Sequence, residues 1–171
     1  AYNGLIALKN ETLNALKQID VQLKRRHDLI PNLVQSVQGA MKFEQQTLQA
    51  VIEARNQAVK LASGADLQSV GKLAAAEQQL TGALGKLMAV VEAYPDLKAT
   101  GNIAQLQEEL TSTENKIGFA RQLYNDTATN YNTKQQQFPT AIVAPMAGAK
   151  PADLWEITDE AERAVPQVKL N

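Results

Sequence analysis

Few residues in this chain are of a type that does chemistry. There is one histidine, His27, and there are no cysteines. A carboxylate-bridged di-metal centre needs two Glu-x-x-His pairs plus two more inward-facing glutamates, and the zinc helix motif needs two histidines four apart. A single imidazole supplies neither. The lack of cysteine removes thiolate nucleophiles, disulfides and thiolate metal sites. A Ser-His-acid arrangement would have to use His27, which lies in Lys24-Arg25-Arg26-His27-Asp28 with no nucleophile elbow nearby. His27 beside Asp28 reads instead as a polar residue at a helix end, where a cation meets the negative end of the helix dipole. Gly82-x-x-Gly85-Lys86 is too short for a phosphate-cradling loop and lacks the following Ser or Thr. Glu108 and Glu109 are adjacent on a helical pattern, so their side chains diverge and cannot share one substrate. The chain reads as non-enzymatic, with no metal or cofactor implied.

Polar residues at helical spacing are more informative. Glu77 falls within an apolar seam, and Glu109, Thr113, Glu114, Arg121 and Asn125 lie on or beside a second one. Charges on a packing stripe need partners. One reading is an internal network that fixes helix register, with Arg26, Arg55 and Arg121 as counter-charges. The other is a small-molecule or ion-sensing site in the polar interior around Glu77, Glu114, Arg121 and Asn125. The run Lys24-Arg25-Arg26 is shorter than the roughly four to eight bases usual for a lipid-binding cluster. Together with Asp28 it reads as an exposed contact surface for a protein partner.

These residues must be positioned by helices. The 171 residues are 44% hydrophobic and 20% charged, enough for one domain with a core, and the formal net charge of −1 leaves no positive field for nucleic acid. Residues 1–62 carry eight bases against five acids, and the remainder nine against thirteen, so neither part is extreme. No window of about 18 apolar residues is present that would span a bilayer. Leu5, Leu13, Leu16, Ile19 and Leu23, then Ile30, Val34, Val37, Met41, Leu48, Val51 and Ile52, recur at helical spacing. Val70, Leu73, Glu77, Leu80, Leu84, Leu87 and Val91 alternate steps of three and four, as do Ile103, Leu106, Leu110, Thr113, Ile117, Ala120, Tyr124, Thr127 and Tyr131, a coiled-coil-like seam.

Ser63-Gly64-Ala65-Asp66 predicts a tight reversal, with Gly64 left-handed and Asp66 as the next N-cap. Pro95 stops the third helix, Asn102 and Gln105 resemble a capping box, and Pro139 ends the fourth helix. Pro31 either sits in the first turn of a helix capped by Asp28 or kinks one long helix. A break there gives arms of roughly 40 to 55 Å at the usual rise per residue, which favours an all-α, antiparallel four-helix bundle over residues 1–138. Residues 139–171 then form a proline-containing tail, anchored on the bundle by Ile142, Val143, Met146, Leu154, Trp155 and Ile157.

Four stretches resemble the LemA family of bacterial proteins: QIDVQLKRRHDLIPNLV from Gln18 to Val34, EAYPDLKA from Glu92, LQEELTSTENKIGFARQLYN from Leu106, and YNTKQQQFP from Tyr131. The opening Tyr2-Asn3 fits too, whereas Leu16 and Met146 to Ala149 depart from the family's more aromatic pattern. The resemblance implies an antiparallel helical bundle tethered to the bacterial cell membrane by a transmembrane helix or lipidated cysteine upstream of residue 1. It attaches no enzymatic activity and no catalytic residues. The expectation is an envelope scaffold or interaction module whose partner is another envelope or membrane protein.

Overall fold

The computed structural model describes residues 2–137 and 139–156. They form six helices: α1 (Tyr2–Gln38), α2 (Gln45–Ser63), α3 (Val70–Val91), α4 (Pro95–Lys98), α5 (Gly101–Gln136) and α6 (Thr140–Val143). A 3-10 turn follows at Pro145–Ala147, and no strand occurs among the described residues. At the usual rise, α1 and α5 are each about 55 Å long, whereas α2 and α3 are only about 30 Å. These are not the four matched helices expected from the sequence.

The difference arises at Pro31. No break occurs at Asp28–Pro31; α1 runs through it, and the chain reverses at Gly39 to Glu44 instead. A proline inside a helix leaves the carbonyl four residues back without its donor, at a cost of about 3 kcal/mol. Here that carbonyl is His27 O, and the Nε of Arg55 on α2 donates to it at 3.1 Å. Ile30, Leu33, Val34 and Val37, on either side of Pro31, are all buried. Each such side chain contributes roughly 1.5–3 kcal/mol, so the continuous apolar stripe outweighs the proline.

Three other expected caps also differ. Gly64 ends α2 at φ −112°, not in the left-handed region. The Asp66 side chain accepts from Gln68 N within the turn, and Ser69 takes the N-cap position of α3. Asn102 makes no capping box; its amide donates to Ser36 Oγ across to α1.

That bond, and the approach of Thr12 Oγ1 to Thr127 O at 3.3 Å, place the two ends of α1 against opposite ends of α5. The long pair is therefore antiparallel. The α2–α3 hairpin braces chiefly the half of this pair nearest Ser36, where Ile30 to Met41, Leu48, Val51, Leu80, Leu87, Ile103 and Leu106 form one apolar cluster. In the other half a second cluster joins Leu5 to Leu23 with Val70, Leu73, Tyr124, Tyr131 and, from the tail, Ala144, Ala152 and Trp155. The tail thus packs where the hairpin stops. Ile157 lies outside the described residues, and Ile142 and Met146 are exposed.

The role of Arg55 can be checked by a double-mutant cycle on urea midpoints. Arg55→Met should cost about 1–3 kcal/mol by leaving His27 O unpaired. With Pro31→Ala present, the restored backbone N–H should take that carbonyl and most of the cost should vanish; equal costs in both backgrounds would refute the substitution.

Candidate functional site

Between the two apolar clusters lies one polar layer to which every long element contributes. Arg26 and His27 are consecutive on α1, Glu77 lies on α3 within the seam that predicts it, and each is only 3% exposed. Thr113 on α5 is buried at 1%, and Arg55 reaches in from α2. The Glu77 carboxylate is shared. Its Oε2 accepts from Arg26 Nη2 at 3.0 Å and its Oε1 lies 2.5 Å from His27 Nε2. Arg26 Nη2 also donates to Glu77 O at 3.1 Å, and Arg26 Nη1 to Thr81 Oγ1 at 3.0 Å. The Thr81 hydroxyl in turn donates to Glu77 O. Arg26 Nε is buried with no protein partner.

This arrangement redraws several sequence expectations. His27 is not at a helix end but in mid-helix, inside, and paired with Glu77. Arg26, expected both as an exposed contact and as a counter-charge of the polar interior, takes the second role: it is buried and pairs with Glu77. Lys24, Arg25 and Asp28 are exposed, so the basic run is split by helical geometry into an inward pair and an outward set. Lys24 also pairs with Asp20 at 3.2 Å. Of the other expected polar-core residues, Glu77 and Thr113 are interior. Glu109 is half-buried, and its carbonyl accepts from Thr113. Glu114 and Arg121 are exposed, but they line one cavity of about 280 Å³ together with Arg26, Glu77 and Thr81. A second cavity of about 470 Å³ continues along the α3–α5 groove past Leu84, Met88, Gln107 and Leu110. Among the described residues, no group of three or more His, Asp or Glu side chains is placed to hold a metal ion.

Asn125 serves a different purpose, and a residue not singled out from sequence serves it too. Asn125 accepts from Trp155 N at 2.7 Å and donates to Trp155 O at 3.1 Å. Asn132, one heptad later, does the same for Ala152, at 2.7 and 2.9 Å. The spacing of seven, which puts two amides on one face of α5, is the signal that could have revealed this. Tyr124 Oη donates to Asp153 O at 2.7 Å, and Asp153 N donates to Leu67 O at 2.7 Å. The Asp153 carboxylate accepts from Gly71 N in the first turn of α3, where Ser69 makes no side-chain cap and a negative charge is favoured. The tail is therefore held in the lower α3–α5 groove, with Trp155 lining the smaller cavity.

Together these features define an all-α protein in which two long antiparallel helices are braced by a shorter helical hairpin and tied by an extended C-terminal segment. The chain belongs to the LemA family, which it matches over residues 15–170. No curated protein matches it. Family membership suggests a membrane-associated bacterial protein. Among the described residues, no helix is long and apolar enough to cross a membrane.

Burial, with the Asp153 carboxylate acting in the same direction, raises the Tyr124 hydroxyl well above its ordinary value of 10.0, and burial also raises Tyr131. The folded state therefore holds the neutral phenol. Its contribution is intact below pH 10 and is lost as pH rises beyond that, because only the unfolded chain then ionises. Tyr124→Phe should lower stability near pH 8 by about 1 kcal/mol through the lost bond to Asp153 O. It should also flatten the decline between pH 9.5 and 11 in urea titrations. An unchanged alkaline slope would show that Tyr124 does not carry it.

Proposed function

We propose that the chain is a non-enzymatic interaction module of the bacterial envelope, held there by an anchor preceding residue 1, and that Lys24, Arg25 and Asp28 are its contact residues for an envelope or membrane protein. The observation that carries this reading is the division of the signature run. Arg26 and His27 are buried and paired with Glu77, so the charges that remain for a partner are the outward Lys24, Arg25 and Asp28. Buried pairing of the inner residues also holds the outer ones on a rigid helix, which lowers the ordering cost of binding.

The test is site-specific photo-crosslinking in cells carrying the full-length anchored protein, with the photoreactive residue at position 24, 25 or 28. A discrete adduct is expected from at least one of these positions. The double charge reversal Lys24→Glu/Arg25→Glu should cut the yield from position 28 at least tenfold. Absence of any adduct above the uncrosslinked control would remove this surface from the proposal.

A second reading, a small-ligand site, is supported by the shared cavity below Glu114 and Arg121. Their opposite charges at its rim suit a zwitterion, and the buried Arg26 at its base keeps one N–H unpartnered. Millimolar amino acids should then raise the melting temperature of the unaltered chain but not of Glu114→Gln/Arg121→Gln. No shift in either would sink the ligand reading.

A further inference from the structure

We infer that the lower α3–α5 groove is a peptide-binding site, and that it takes from a partner protein an extended segment carrying a small residue, an aspartate next to it and an aromatic three positions on. The inference rests on the reading of the chain as an interaction module and names the chemistry of one partner class. Its basis is how the groove holds its present occupant, the chain's own residues 150–155. Most backbone polar groups of that segment are met by the bundle, the exceptions being those of Leu154 and the N–H of Lys150. Gln135 donates to Lys150 O and Gln68 to Pro151 O. Asn132 and Asn125 each grip both the N–H and the C=O of one residue, and Leu67 O and Tyr124 engage Asp153.

Side-chain amides that pair with an N–H and a C=O of the same residue recognise main chain irrespective of sequence, as a sheet edge does in strand addition. Specificity then comes from three side chains. Ala152 and Trp155 are buried, at 5% and 8% exposed, and the Asp153 carboxylate caps α3. A hypothetical Cβ on Gly71 would lie 3.4 Å from that carboxylate, an ordinary van der Waals contact, so the carboxylate sits directly against the first turn of α3. The segment runs from Asn132 towards Asn125, that is, towards Arg26 and the adjoining cavity between Leu84, Met88 and Leu110. A partner segment in the same direction would meet that apolar wall beyond its aromatic residue.

The test is fluorescence polarisation with a labelled peptide copying residues 149–156, added to the full chain and to the full chain carrying Trp155→Ala. Within one chain the tail competes at an effective concentration of order millimolar. The peptide should therefore bind the Trp155→Ala chain at least tenfold more tightly than the unaltered one. Adding Asn125→Ala/Asn132→Ala should abolish binding, as should replacing the peptide's tryptophan or aspartate by alanine. Should Trp155→Ala unfold the chain, Ala152→Pro replaces it in the assay, loosening the tail by removing the N–H donated to Asn132 and by setting a ring where a small residue packs. No saturable binding to a folded, tail-loosened chain overturns the inference, as does binding that survives loss of both asparagines. Crosslinks at positions 24, 25 and 28 report separately on the module reading, so adducts there without peptide binding reject the groove alone.

Discussion

The structure depends on one carboxylate. Glu77 is buried between two apolar clusters and divides its oxygens between Arg26 and His27. Desolvating a charge costs several kcal/mol even in a relaxed protein interior, so a buried pair adds little to stability compared with a well-packed apolar substitute. Removing one partner is different: Glu77 lost alone would leave Arg26 as an uncompensated buried charge, at about 3–5 kcal/mol. The pair therefore acts chiefly on register. An apolar seam of three- and four-residue steps tolerates a slip by one heptad, because leucine meets leucine again. With Glu77 in the seam, any slipped register buries an unpaired glutamate and an unpaired arginine, and only the observed alignment of α3 on α1 satisfies both.

Pro31 ties α2 into the same level. Its missing N–H frees His27 O, and the free carbonyl is the acceptor that Arg55 uses. One residue, His27, thus receives α3 through its ring and α2 through its backbone. The polar layer is where α1, α2 and α3 are locked to one another, while the leucines above and below supply the burial without choosing among registers.

Helix existence was legible in the sequence because it rests on periodicity, which local residues alone determine. The seams of α3 and α5 appear as written, and Glu77 stood out because a charge interrupted an apolar repeat. What the sequence misplaced were features whose energetics are set by distant partners. Pro31 reads as a break unless Arg55, in another helix, is known to supply the donor. Arg26 was legible both as a counter-charge for the interior and as an exposed contact beside Lys24 and Arg25, and nothing local shows which of three consecutive bases faces Glu77. His27 reads as a helix end for the same reason. Asn125 was singled out but given the wrong neighbours, and Asn132 was passed over. Their shared role needs the extended tail, whose amides are invisible to any pattern of side-chain types.

The tail is a structural necessity before it is anything else. Two helices side by side bury only one stripe each, so the half of α1–α5 that extends beyond the hairpin would expose Leu5, Leu16, Tyr124 and Tyr131 on its open side. Residues 150–155 cover it with one large apolar side chain, Trp155, beside the small Ala152. The rest of the attachment is hydrogen bonding, each bond worth only about 0.5–1.5 kcal/mol net against water. A cover built this way is held by many weak, similar terms in place of a deep core. The same geometry that completes the fold therefore leaves its lower groove closed by main-chain hydrogen bonds and a single large apolar side chain. A surface that is apolar when open and already arranged to pair with extended main chain is suited to a second polypeptide.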